Sequence, residues 1–149
     1  MRRIELETYV AAPVDDVFEL SLSVDAHTAS MRDSGERIVA GVTSGSMSLG
    51  DTVTWRARHL GWTFTMTSRI SEYDAPHRFV DEQVSGPFAS WRHEHRFVAS
   101  GAGTTMVDVA EFRAPLGVIG VLAERAVLTV YLTRLLRQRN DFLVRAVAG

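Results

Sequence analysis

Apolar and polar residues alternate along most of the chain between residues 36 and 113, which is the pattern of half-buried strands. Short turns rich in Gly and Pro divide this region into six predicted strands: 36–40, 52–59, 62–73, 78–85, 88–99 and 104–113. Residues 4–10 alternate in the same way and predict an opening strand, while 42–49 fit either a short strand or a loop. Because such short connections join neighbouring strands, we expect one antiparallel sheet of six to seven strands.

Apolar residues at helical spacing replace the alternation in three places. Pro13 precedes a predicted short helix over 14–22, and a second short helix is predicted over 25–31. A long helix is predicted over 118–147, near the end of the chain. These elements predict an α+β fold in which a curved antiparallel sheet wraps around the long C-terminal helix and leaves a pocket between them.

Composition narrows the possible functions. With 149 residues, of which 46% are hydrophobic and 23% charged, the chain is expected to form one domain over 1–149. The net charge of -2 gives no electrostatic reason to expect nucleic acid as a partner. The chain has neither Cys nor Lys, which excludes thiol nucleophiles, disulfides and Schiff-base chemistry.

The most apolar tract of the chain, 114–136, also contains charged residues at Glu124, Arg125 and Arg134. We therefore interpret it as part of a buried helix and expect no stable membrane insertion. The N-terminus is charged throughout and lacks the apolar segment of a signal peptide, which predicts a cytoplasmic protein. The sequence is compatible with a monomer or a homodimer.

Five segments spread over nearly the whole chain carry a resemblance to a known superfamily: Ala12–Leu20, Leu49–Trp55, Gly86–Phe97, Asp108–Gly117 and Leu135–Leu143. They are similar to the opening helix, the sheet and the closing helix of the START-like (SRPBCC) helix-grip superfamily, and most closely to its bacterial polyketide cyclase/dehydrase-like subgroup. The resemblance implies a helix-grip fold. Superfamily members bind lipids, hormones, quinones or polyketides, and some catalyse cyclisation or dehydration, so the fold does not select one function.

The predicted strand 88–99 has two histidines between two aromatic residues on one face: Trp91, His93, His95 and Phe97. Its other face is charged and expected to be solvated, which turns the histidines inward: Arg92, Glu94 and Arg96. On the next strand, Asp108 and Phe112 share a face, and we expect that face to point inward because the opposite choice would bury Arg113.

Three interpretations of this cluster remain open. The histidines and Asp108 form a satisfied buried hydrogen-bond network, or they orient the polar group of an apolar ligand. In the third interpretation, His93 or His95 is a catalytic general acid or base steered by Asp108. Two histidines at positions i and i+2 could also chelate a metal ion, but no third ligand is evident, so neither a metal nor a cofactor is expected.

Arg139 lies within the apolar stripe of the long helix. Either its guanidinium reaches water at the end of a buried stem, or it pairs with an inward carboxylate, Asp108 first, or with an anionic group of a ligand. On strand 78–85, Phe79, Asp81 and Gln83 oppose Val80, Glu82 and Val84, and the pattern does not indicate which set points inward.

Strands 52–59 and 62–73 are expected to form the pocket walls. The residues predicted to contact a ligand are Trp55, His59, Phe64, Met66, Trp91, His93, His95, Phe97, Asp108, Phe112, Leu132, Leu136 and Arg139. The leading hypothesis is a non-catalytic protein that binds or carries a small hydrophobic ligand (a lipid, a quinone or a polyketide-like molecule). The alternatives are a polyketide cyclase or dehydratase that uses His and Asp, and a protein-interaction module of the chaperone-cofactor type.

Overall fold

The computed structural model describes residues 1–59, 61–114 and 127–148 of the chain. Its strands are β1 (Arg2–Val10), β2 (Arg37–Gly41), β3 (Thr52–His59), β4 (Trp62–Asp74), β5 (Arg78–Ser85), β6 (Ser90–Ser100) and β7 (Gly103–Arg113). Its α-helices are α1 (Val14–Leu22), α2 (Val24–Ser30) and α3 (Thr129–Ala148), and a single 3-10 turn lies at Arg32–Ser34. These bounds agree with the predicted strands and short helices to within two residues.

All seven strands form one antiparallel sheet in the order β1-β7-β6-β5-β4-β3-β2. Register shifts between Thr67 and Ser68, between Ile70 and Glu72, and on β2 mark bulges, which bend the strands that carry them. The sheet therefore curls around α3, and the α+β helix-grip prediction is confirmed. The first part of the predicted long helix, 118–126, lies outside the described residues.

Two apolar clusters fill the concave side of the sheet. In the first, the ring of Phe18 on α1 packs edge-on against Phe79 and Phe97, with ring centroids 5.8 and 5.3 Å apart. In the second, Leu132 and Leu136 of α3 pack with three buried apolar residues of β1 and β7: Ile4, Ala110 and Phe112. Because α1 covers one part of the sheet and α3 another, the space between these clusters is left to a cavity.

The convex face is more buried than the sequence predicted. Glu94 is only 8% exposed, although its face was expected to be solvated. Its carboxylate accepts hydrogen bonds from Arg78 at 2.7 Å and is paired with Arg96 at 2.7 Å, so these long side chains cover it. Burial raises the pKa of Glu94, but the hydrogen bonds from Arg78 and Arg96 outweigh it and leave the pKa below its usual value.

Strand β5 turns Phe79, Asp81 and Gln83 towards the concave side, which the alternation alone did not indicate. Phe79 and Asp81 line the cavity, and Gln83 exchanges hydrogen bonds with the backbone of Phe88 at 2.8 and 3.1 Å. The register places Asp81 opposite His93 on β6, so a carboxylate joins the histidine face. Among the described helices, none is both long enough and apolar enough to span a membrane.

Candidate ligand-binding site

A cavity of about 420 Å³ lies between the concave face of the sheet and α3. This volume falls in the range of small-molecule sites, roughly 300–1,000 Å³. Ten of the residues predicted to contact a ligand line it: Trp55, His59, Phe64, Met66, Trp91, His93, His95, Leu132, Leu136 and Arg139. Most of the wall is apolar, and its polar residues include a cluster from β5, β6 and α3.

The other three predicted residues lie behind the cavity wall. Phe97 is 2% exposed and packs against Phe18 of α1, while Phe112 is fully buried beside Trp91. Asp108 is also fully buried, and it is held behind the histidines. Their side chains shape the wall but do not border the cavity.

Asp108 is the centre of a buried hydrogen-bond network. Its Oδ1 accepts from His93 Nε2 at 2.8 Å and from Arg139 Nη1 at 3.1 Å. Its Oδ2 accepts from Asn140 Nδ2 at 2.7 Å, and the same amide nitrogen lies 3.1 Å from the hydroxyl oxygen of Thr8. Arg139 is 5% exposed and therefore pairs with the inward carboxylate instead of reaching water, which decides between the two interpretations of that residue.

His95 forms the link between this network and the cavity. Its Nε2 lies 2.7 Å from Asp81 Oδ2, and its Nδ1 lies 3.3 Å from Arg139 Nη2. A carboxylate only accepts and a guanidinium only donates, so the neutral ring with its proton on Nε2 satisfies both partners. Its ring stacks on His93 at 3.7 Å and on Phe79 at 4.1 Å, and burial and the neighbouring His93 lower its pKa to about 4.

Both carboxylates of the cluster are ionised at neutral pH. Burial raises the pKa of Asp81, but the hydrogen bond from His95 outweighs it and brings the pKa to about 2. Burial also raises the pKa of Asp108, but the hydrogen bond from His93 and the charge of Arg139 hold it well below the usual range. These two carboxylates carry one negative charge more than the guanidinium of Arg139 offsets.

Asp81 and Asn140 belong to the polar cluster, and sequence reasoning missed both. Asp81 lies on a strand whose inward face the alternation did not indicate, and only the pairing register brings it opposite His93. Asn140 follows Arg139 on α3 and is 1% exposed. From the sequence, a polar residue at that position is instead expected at the border of the solvated face of the helix. In the sequence, the only signal for Asp81 was its place two residues after Phe79.

A second pair of polar contacts borders the cavity away from the Asp108 network. His59 Nδ1 lies 2.8 Å from the hydroxyl of Tyr131 on α3, and burial lowers the pKa of this histidine. His27 Nε2 lies 2.8 Å from Glu36 Oε1, and its ring packs on Trp55 with centroids 4.4 Å apart. These contacts join β3 to the helices that cover the concave face.

We expect the free energy of unfolding to fall as the pH drops from about 6.5 towards about 4. In the folded protein the pKa of His95 is lowered to about 4 from its ordinary 6.5, so within this window only the unfolded chain binds that proton. Stability is then lost towards acid by up to about 1.4 kcal/mol per pH unit. Urea unfolding at several pH values measures this slope, which His95→Gln should flatten. Equal slopes in the variant and the wild type would contradict the assignment.

The sequence matches one family of known proteins over nearly its whole length. A family model described as polyketide cyclase/dehydrase and lipid transport matches residues 1–148. The chain therefore belongs to this family, within the START-like (SRPBCC) helix-grip superfamily that its sequence resembles. No curated protein has a matching sequence. Family membership supports ligand binding or a polyketide cyclase-like function, and it names neither a substrate nor a reaction for this chain.

Solved structures share the fold at low sequence identity. The Zhui aromatase/cyclase from Streptomyces sp. R1128 has a TM-score of 0.76 at 19% identity, covering 97% of this chain and 92% of that one. A protein from Thermus thermophilus has a TM-score of 0.75 at 17% identity, covering 97% and 99%. The ginseng major latex-like protein 151 from Panax ginseng has a TM-score of 0.70 at 13% identity, covering 97% and 96%.

Proposed function

We propose that this protein binds a small, largely apolar molecule in its cavity and anchors a hydroxyl group of that molecule on Asp81. The observation that carries the proposal is the contrast within the wall. Within an extended apolar surface lies a polar cluster of Asp81, His93, His95 and Arg139, and buried partners preorganise that cluster. A cavity of this kind suits an aromatic or polyketide-like ring system better than a flexible polar ligand.

The apolar part of the wall includes broad surfaces from β3, β4, β6 and α3. Trp55, Met66 and Trp91 supply broad, polarisable surfaces, and Leu132 and Leu136 close the cavity from the helix. Aromatic and Met side chains adapt to irregular apolar guests and contribute most of the area that a ring system can bury. This surface gives affinity, while the position of the ligand depends on the polar cluster.

The polar cluster presents a hydrogen-bond acceptor, Asp81, to the cavity, while its strongest donor, Arg139, is already hydrogen-bonded within the protein. Asp81 Oδ2 accepts a hydrogen bond from His95 Nε2. Among the described residues, the other carboxylate oxygen of Asp81, Oδ1, has no protein partner. Arg139 is directed at Asp108 and His95, so both terminal nitrogens of its guanidinium already have partners. A hydroxyl or phenol can donate to Asp81, whereas a carboxylate there meets a like charge.

Three probes with the same ring system test this specificity: naphthol, naphthalene and naphthoate. In calorimetric titrations at neutral pH we expect naphthol to bind about tenfold to a hundredfold more tightly than naphthalene, since a hydrogen bond to a charged group contributes about 1.5–3 kcal/mol. Naphthoate should bind more weakly than naphthol. Asp81→Asn should remove most of the preference for naphthol, while Asp141→Asn, on the exposed face of α3, should keep it. Equal affinities for all three probes would overturn the proposal.

The pKa values of the cluster favour a binding function, and not acid–base catalysis, at neutral pH. Catalytic acids and bases work best when their pKa lies near the operating pH. The pKa of Asp81 is about 2 and that of His95 about 4, so the first is a weak base and the second lacks the imidazolium proton that a general acid donates at neutral pH. Turnover of a poly-β-ketone by the wild type, lost in His95→Gln, would instead establish the cyclase alternative.

A further inference from the structure

We propose that Asp81, His93 and His95 form a site for a divalent first-row transition-metal ion that opens into the cavity. One ligand atom from each residue lies within 4.8 Å of the other two. His95 Nε2 is 2.7 Å and His93 Nδ1 is 4.0 Å from Asp81 Oδ2. Bonds of about 2.0–2.2 Å to a shared ion place such atoms about 3.0–3.4 Å apart, which these distances bracket.

His93 is already oriented as a metal ligand. Its Nε2 donates to Asp108 Oδ1 at 2.8 Å, so in the neutral ring the lone pair is on Nδ1, which points towards Asp81. Among the described residues, that nitrogen has no hydrogen-bond partner. A carboxylate behind a histidine ligand fixes the ring and raises its basicity, and Asp108 has this position here.

His95 can join the site without a net loss of protons from the cluster. Its Nε2 now donates to Asp81, and a metal ion would take the place of that proton. The proton then moves to Nδ1, which lies 3.4 Å from Asp108 Oδ1 as its acceptor, and Arg139 Nη2, which now donates to Nδ1 at 3.3 Å, must turn away from it. Arg139 keeps its own bond to Asp108 at 3.1 Å, so the buried charges remain paired.

The choice of ion follows from the ligands and the charge. Two imidazoles and one carboxylate suit Zn²⁺, Fe²⁺ or Co²⁺, whereas Ca²⁺ and Mg²⁺ prefer oxygen ligands alone. The two carboxylates of the cluster exceed its single guanidinium by one negative charge, which favours an added cation. Three protein ligands leave coordination positions open, and all three of these residues line the cavity.

The test uses untagged full-length protein stripped with EDTA and titrated with Co²⁺ and, separately, Zn²⁺. We expect one equivalent of Co²⁺ to bind with visible absorption bands of low-symmetry coordination. Asp81→Asn should weaken the affinity for both ions at least about tenfold. Two matched controls, Asp141→Asn and His77→Gln, alter exposed residues away from the cavity and should bind as the wild type does.

Two results would overturn the site: no saturable binding to the wild type, or equal affinity in the wild type and Asp81→Asn. Thermal unfolding of each variant shows whether it is folded. If Asp81→Asn is not, paramagnetic shifts from Co²⁺ in the wild-type NMR spectrum decide, since they must centre on the rings of His93, His95 and Phe79. The naphthol titrations are run in EDTA, so failure of this site leaves the ligand-binding proposal separately testable.

Discussion

Replacing Arg139 by Leu is expected to destabilise the folded protein by about 3–5 kcal/mol, because it leaves a buried carboxylate without its opposite charge. Asp108 has no exposed surface, and Arg139 Nη1 is 3.1 Å from its Oδ1. Burial alone would raise the pKa of Asp108, so without the guanidinium the carboxylate must either remain charged in an apolar surrounding or take up a proton. Urea unfolding at neutral pH measures the loss.

A double-mutant cycle of Arg139 and Asp108 separates the energy of their charge pairing from the loss of side-chain packing. Asp108→Asn keeps the shape of the side chain and removes the charge, so Arg139→Leu should cost less in that background by about 0.5–3 kcal/mol. Arg137→Leu is the matched control, since Arg137 lies on the same helix but is exposed, and we expect a change within about 0.5 kcal/mol. Losses that simply add in the double variant would contradict the pairing.

Replacing Ala57 by Trp is expected to weaken naphthol binding and to raise its Kd at least about tenfold. Ala57 is 7% exposed, lies on β3 and lines the cavity, so a larger side chain at this position projects into the space that the ligand needs. In a filled core such an insertion costs about 1–3 kcal/mol, and here an open cavity of about 420 Å³ can accept the ring. The variant should therefore remain folded while it loses binding.

Ala99→Trp is the control for that experiment. Ala99 is also a strand alanine, on β6, but it is exposed and does not line the cavity. Its replacement should leave the Kd for naphthol unchanged. Wild-type affinity in a folded Ala57→Trp variant would place the ligand somewhere other than the cavity.

The fold and four residues of the polar cluster follow from local patterns. The two-residue period of β6 turns His93 and His95 to one face, and the cost of burying Arg113 turns Asp108 to the same side. Arg139 stands out because a charge within an apolar helical stripe needs a partner. Each of these inferences uses one element at a time, which is the range over which a single sequence is informative.

The rest of the cluster depends on how elements meet. Asp81 joins the site only because β5 pairs with β6 in a register that places it opposite His93, while bulges shift the register of its pairing with β4 on the other side. Without the third ligand that Asp81 provides, the histidine pair gives no reason to expect a metal. Asn140 and Thr8 meet across α3 and β1, a contact that no periodicity encodes. Glu94 is buried because Arg78 of the neighbouring β5 and Arg96 of its own strand cover it.

The most direct test of the central claim locates a bound ligand by NMR. Intermolecular nuclear Overhauser effects are measured between naphthol and the protein with labelled methyl groups and aromatic rings. We predict contacts to Leu132, Leu136 and Trp91, which line the cavity on two sides, together with a shift of the His95 ring resonances on binding. Contacts confined to Trp62, which is 72% exposed at the start of β4, would contradict an internal site.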